Sequence, residues 1–289
     1  MSVAPLDFRR REVGSRVAVV ATRLMDAVCE LGLLDPGGLE RALGSGAVGP
    51  GRGRNAVLPL SGHEERLHLR PFRHAGWLAH LRSDHLPGLG RPLAELAANA
   101  RLAAAAAPVP RPVLVVGRRR APGWWTAAVG TVHEENACNA GEFLAACAEP
   151  EQLLACADAA GTALRLFHDA GGCHADLHVG NLLFCEKDAA PRVLLVDLDR
   201  ARVVPRVPAR RRMAEIMRLY RSLVKRRIGG ALAPETVAHF LDAYTTGDAD
   251  LRRALLADLP RERLRLAIHR LGYGKSRGRH LSAGERRPS

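Results

Sequence analysis

The stretch from His168 to Leu183, with the apolar run after it, constrains this chain more than any other feature. It reads His168-Asp169-Ala170-Gly171-Gly172-Cys173-His174-Ala175-Asp176-Leu177-His178-Val179-Gly180-Asn181-Leu182-Leu183, and Val193-Leu194-Leu195-Val196-Asp197-Leu198-Asp199 follows. Phosphoryl transfer asks little covalent chemistry of a protein. It needs a carboxylate to orient the acceptor hydroxyl and oxygen ligands for a divalent cation on the phosphates. An Asp in His-x-Asp, an Asn in the same short loop and an Asp closing an apolar strand supply that set. The spacing therefore predicts Asp176 as the base, Asn181 and Asp197 as Mg2+ ligands, and ATP as the phosphate donor. His174 is expected to brace the loop rather than react, and His178 to belong to the loop's structure.

The surrounding pattern gives an order of elements. Val17, Val20, Leu24, Val28 and Leu31 recur at steps of three and four, which predicts a helix over 15–33. Strand-like runs follow near 56–60 and 67–72, then a helix over 92–107, then strands at 113–116 and 124–132. From Gly141 the pattern is mainly helical, at 141–147, 151–169, 209–228, 234–244, 248–257 and 261–271. A β-rich region thus precedes a helical one, with the loop near the start of the latter. This predicts an α+β, two-lobed protein-kinase-like fold. The expected division is a helical extension over 1–43, a small lobe over 44–132 and a large lobe over 133–289 with a basic C-terminal region.

The chain has three lysines, Lys187, Lys225 and Lys275, all after the loop. No lysine in the small lobe is left to hold ATP phosphates. Arg70 is the expected substitute: it ends the alternating stretch Leu67-His68-Leu69-Arg70, and its forked guanidinium suits phosphate oxygens. Glu95, on the following helix, is its expected ion-pair partner. Gly51 and Gly53, in Gly51-Arg52-Gly53-Arg54, are expected to cover the phosphates with their backbone.

The net charge of +13 is concentrated rather than spread. From Arg200 to Arg227 eleven Arg or Lys face a single acid, Glu215, and the tail from Arg261 to Ser289 carries nine basic and two acidic residues. The rest of the chain is slightly acidic. Positive charge close behind the loop favours an anionic acceptor or an anionic membrane surface. Arg73 and Arg200 are the candidate contacts to that acceptor. The helix at 209–228 has two readings, a basic amphipathic helix docking on anionic lipid or an ordinary large-lobe helix. Nucleic acid is not an expected partner: aromatics are 4% and no recognition motif occurs. Six cysteines without a Cys-x-x-Cys pair read as free thiols. No signal peptide or membrane-spanning run is read, so a cytoplasmic protein, peripheral on the inner face of the cytoplasmic membrane, is expected.

Several stretches, in order, resemble the lipopolysaccharide kinase group, the Kdo (3-deoxy-D-manno-octulosonic acid) kinases and heptose kinases. They are Gly51-Arg52-Gly53, Leu69-Arg70-Pro71-Phe72-Arg73-His74-Ala75-Gly76, Arg91-Pro92-Leu93-Ala94-Glu95, Pro108-Val109-Pro110-Arg111-Pro112, the loop itself, Val196-Asp197-Leu198-Asp199-Arg200 and Met217-Arg218-Leu219-Tyr220-Arg221-Ser222-Leu223. The resemblance covers roughly residues 50–227 and implies transfer from ATP to a sugar hydroxyl of the lipopolysaccharide inner core. His178 and Gly180 depart from that group's loop. The His-Ala-Asp-Leu-His-x-Gly-Asn form is closer to aminoglycoside and other small-molecule phosphotransferases. Two alternatives therefore stay open: an aminoglycoside- or choline-type small-molecule kinase, and a non-catalytic pseudokinase binding anionic lipid.

Overall fold

In the computed structural model, which describes residues 7–45, 55–73, 85–147, 149–187 and 190–261, the small lobe is built on one antiparallel sheet. Its strands are β1 (Phe8–Val13), β2 (Arg16–Ala21), β3 (Ala56–Pro59), β4 (Arg66–Phe72), β5 (Pro112–Ala121) and β6 (Trp124–Val132). They lie in the order β1-β2-β5-β6-β4-β3. Side chains alternate between the faces of a strand, and both faces here are buried. Leu67 and Leu69 of β4 join Leu114 and Val116 of β5 in one cluster. Leu24, Val28 and Leu39 complete it from the short helices α1 (Met25–Glu30) and α2 (Gly38–Gly44) and the turn before them. Phe72, Val115 and Val129 form the second cluster with Leu96 of α3 (Gly90–Ala104). Arg70 shares the parity of Phe72, so it faces α3.

The helix expected over 15–33 is a strand in its first third. Arg16–Ala21 forms β2, paired on one side with β1 and on the other with β5. Val17, Ala18, Val20 and Ala21 are buried there. A short run rich in β-branched residues packs well between two strands, and that pairing outweighs the helical spacing. Only Leu24 and Val28 continue into helical turns. Residues 8–21 are thus an outer hairpin of the small-lobe sheet, not part of a helical extension. Gly51 and Gly53 lie outside the described residues, as does nearly all of the basic tail.

The large lobe is mainly helical: α4 (Ala140–Ala146), α5 (Pro150–Asp169), α6 (Ala209–Arg226), α7 (Pro234–Thr245) and α8 over 249–261. Together the two lobes make the α+β, two-lobed kinase-like fold expected from the sequence. Pro150 opens α5, where its fixed φ suits the first turn and its missing N–H costs nothing. Gly171 follows α5 at φ 82°, and a Cβ there would come within 2.0 Å of the Val204 carbonyl oxygen. Only glycine lets the chain turn into β8 (Gly172–Cys173), which pairs with β11 (Arg202–Val203). A second small sheet runs β10 (Ala190–Leu195), β9 (Leu182–Lys187), β7 (Ala137–Asn139). Phe167, Leu177, Leu195, Met213 and Tyr244 are central in the lobe's core. α6 packs into that core through Met213, Ile216, Met217 and Leu219. All six cysteines are free, three of them buried.

Candidate active site

The loop after β8 is held by its own first histidine. His174 is buried, and its Nδ1 accepts from the Asp176 N–H at 3.2 Å. Its Nε2–H therefore donates to the Val196 carbonyl at 3.0 Å, which ties the loop to the end of β10. Burial lowers the pKa of this imidazole, consistent with that neutral tautomer. Asn181 closes the loop from the other end. Its Nδ2 donates to the Asp176 carbonyl at 2.9 Å, and its backbone carbonyl accepts from the Val196 N–H at 3.0 Å. The amide nitrogen being used in this way, Oδ1 is left for other work. His178 accepts from the Gly180 N–H at 3.0 Å through Nδ1, so Nε2 carries the proton and stands 3.9 Å from Asp176 Oδ2.

Two carboxylates remain open to solvent. The Asp176 side chain is 76% exposed and that of Asp197 is 56% exposed. Asp197 also has φ 60°, a left-handed backbone that a non-glycine residue adopts at some cost and that is concentrated at functional sites. Two links from the small lobe reach this strand end. Arg70 forms an ion pair with the buried Glu95 and stands 3.8 Å from Asp197 Oδ1. Arg91 of α3 forms an ion pair with Asp199 while its guanidinium lies 5.4 Å from the Phe72 ring centre. Burial raises the Glu95 carboxyl pKa against the pull of Arg70. Charge on Glu95, Asp197 and Asp199 holds Arg70 firmly protonated despite its burial.

The loop's other side rests on α6, which the sequence did not single out for this role. Glu215 is fully buried and accepts from the His174 N–H at 2.8 Å, from Arg211 Nε at 2.7 Å and from His168 Nε2 at 3.3 Å. His168 Nδ1 in turn meets the Tyr244 hydroxyl at 2.6 Å. Arg218 donates to the His174 carbonyl at 3.2 Å, and the Val179 N–H donates to Ser222 Oγ at 2.9 Å. Residues 215, 218 and 222 lie on one helix face, so a single stripe of α6 grips the loop backbone. From the opposite flank, Asn139 Nδ2 donates to the Gly180 carbonyl at 2.8 Å. Glu215 is the one acid in the basic window, and that singularity was the available signal.

Of the other expected contacts, Arg73 follows β4 directly and is half-buried, while Arg200 is exposed beyond Asp199. Among the described residues no group of three or more His, Cys, Asp and Glu side chains can hold a metal by itself. Asn181 Oδ1 and the Asp197 carboxylate nonetheless suit Mg2+, which prefers oxygen and keeps positions for water and phosphate. The donor set thus fits a metal held jointly with a nucleotide.

Solved structures with a similar chain course include WaaP in complex with acyl carrier protein, 18% identical over 72% of this chain and 84% of that chain, TM-score 0.46. Another is glucosamine kinase in complex with glucosamine, ADP and inorganic phosphate, 14% identical over 88% of this chain and 85% of that chain, TM-score 0.42. Among curated protein sequences none matches. The family model of the lipopolysaccharide kinase (Kdo/WaaP) family matches residues 46–244, a span running from before β3 through the loop and α6 to the end of α7. With most of the chain matched, this protein belongs to the lipopolysaccharide kinase (Kdo/WaaP) family and is a kinase.

Proposed function

We propose that the protein transfers the γ-phosphoryl group of ATP, with Mg2+, to a sugar hydroxyl of the lipopolysaccharide inner core, on Kdo or heptose. The observation that carries this reading is Arg70 lying between Glu95 and Asp197. The small lobe's phosphate-side cation thereby meets the metal-side carboxylate, at the mouth of the Asp176 loop. Arginine takes the place of the absent small-lobe lysine, and its fork pairs with phosphate oxygens while Glu95 fixes its position. Asn181 and Asp197 would hold Mg2+, which neutralises charge on the phosphate oxygens when bound.

Asp176 then accepts a hydrogen bond from the acceptor hydroxyl and aims its oxygen at the phosphorus. As the new O–P bond forms, the hydroxyl proton passes to the Asp176 carboxylate and the bond to the bridging oxygen of ADP breaks. Exposure of Asp176 suits a large acceptor arriving from solvent or a membrane surface. No described helix is long and apolar enough to cross a membrane. In this reading a glycolipid acceptor is met at the inner face of the cytoplasmic membrane. Arg73 and Arg200 remain candidate acceptor contacts.

The test is transfer of labelled phosphate from ATP to Kdo-bearing lipid A precursor, with an aminoglycoside, choline and a generic protein in parallel. Labelled glycolipid that requires Mg2+ supports the reading. Label on the aminoglycoside or choline alone would replace the acceptor, and label on nothing would remove the activity.

A further inference from the structure

The α6 stripe that grips the catalytic loop has a fourth member. Glu215, Arg218 and Ser222 reach the backbone at His174 and Val179. Arg226 lies one turn further on the same face, and its guanidinium comes against the next part of the loop. A Cβ on Gly180 would stand 3.2 Å from Arg226 Nη2 and 2.9 Å from His178 Cε1. A Cβ on Gly141 would stand 2.6 Å from Arg226 Nη1. The guanidinium thus occupies a slot between two backbone turns that larger side chains would fill. It shares that slot with the imidazole whose Nε2 faces Asp176 at 3.9 Å.

The first three members of the stripe spend their polar groups on the loop. Arg226 differs: it is exposed, and among the described residues it has neither a hydrogen bond nor an ion pair. Its neighbours Lys225 and Arg227 are exposed cations too, and Arg227 turns away in a left-handed cap at φ 58°. A charged fork held beside the His178 imidazole, flanked by further positive charge and facing solvent, is suited to an oxyanion on the incoming acceptor.

We propose that Arg226, seated against Gly141 and Gly180 beside His178, forms the acceptor-side subsite for an oxyanion, carboxylate or phosphate, carried by the sugar whose hydroxyl Asp176 orients. The inference rests on the kinase reading above and assigns the specificity of that same site. The subsite would hold the acceptor without touching ATP, so its loss should appear in the acceptor KM and not in the ATP KM.

The test compares wild type, Arg226→Gln and Arg226→Lys in steady-state transfer from ATP. Acceptors are Kdo-bearing lipid A precursor, its carboxyl methyl ester and its dephosphorylated form. We expect Arg226→Gln to raise the KM for the unmodified glycolipid roughly tenfold, as for one lost charged hydrogen bond. The kcat and the ATP KM should stay close to wild type, and Arg226→Lys should recover part of the loss. The effect should vanish on whichever modified acceptor lacks the oxyanion that Arg226 reads, which tells carboxylate from phosphate. Equal acceptor KM values for wild type and Arg226→Gln would overturn the subsite, as would the same ratio on all three acceptors. No transfer by wild type to any of them is a different result, and it overturns the parent reading together with the subsite.

Discussion

The two sides of the catalytic loop are built on opposite terms. Behind it, Glu215 is buried and hydrogen-bonded to His168, His174 and Arg211, and His174 spends both ring nitrogens on backbone. In front, Asp176 and Asp197 are exposed, and Asp197 keeps a left-handed backbone. The groups suited to chemistry are thus not the ones that hold the loop. Stability is concentrated behind the loop, and the open side leaves its two carboxylates exposed to solvent.

That contrast can be broken by substitution on either side. On the open side, Asp197→Gly should reduce phosphoryl transfer by roughly a thousandfold, because the proposed metal ligand is lost. Its unfolding free energy should rise by up to about 1 kcal/mol, since glycine relieves the left-handed φ. Transfer assays with urea melts check both, and a destabilised protein would remove the distinction between the sides. On the closed side, Glu215→Ala should cost about 3 kcal/mol of stability by leaving the His174 N–H and His168 without their acceptor. Urea unfolding measures this, and a change below about 0.5 kcal/mol would show that the buried carboxylate does not hold the loop.

Arg70 stands where small lobe and loop meet, and Arg70→Ala should weaken ATP binding roughly tenfold through the lost charged contacts. Calorimetric titration with ATP and Mg2+ reads it, and unchanged affinity would mean that another group holds the phosphates. A further effect concerns pH. Burial, aided by the charges of His133 and Arg70, lowers His68 to about 4. Folding thus excludes a proton that the unfolded chain binds below its ordinary pKa, near 6.5. Stability should fall as pH drops from there toward 4, and His68→Gln should flatten the slope in denaturation curves at pH 7 and 5.

The sequence made the open side and the bracing His174 legible and left the rest of the closed side hidden, for a physical reason. Asp176, Asn181 and Asp197 sit in one loop and the strand after it, so their spacing carries the pattern. Arg70 was legible because alternation in β4 sets its face, and the helix beginning at Gly90 presents Glu95 to it. Glu215, Ser222 and Arg226 depend on which face of α6 meets the loop, and a helix with cations on several faces does not announce that. Residues 16–21 misled for a similar reason: valines at helical spacing also suit a strand, and only pairing with β5 decides. Arg91 was visible in the sequence but its link to Asp199 joins residues far apart in the chain.

The most direct test removes the proposed base and leaves its support in place. Asp176→Ala and wild type are melted in parallel, then assayed for labelled transfer from ATP to Kdo-bearing lipid A precursor. The melting curves should coincide, while transfer by the variant should fall by roughly a thousandfold. Transfer at the wild-type rate by a normally folded Asp176→Ala protein would contradict the assignment of the loop as the catalytic centre.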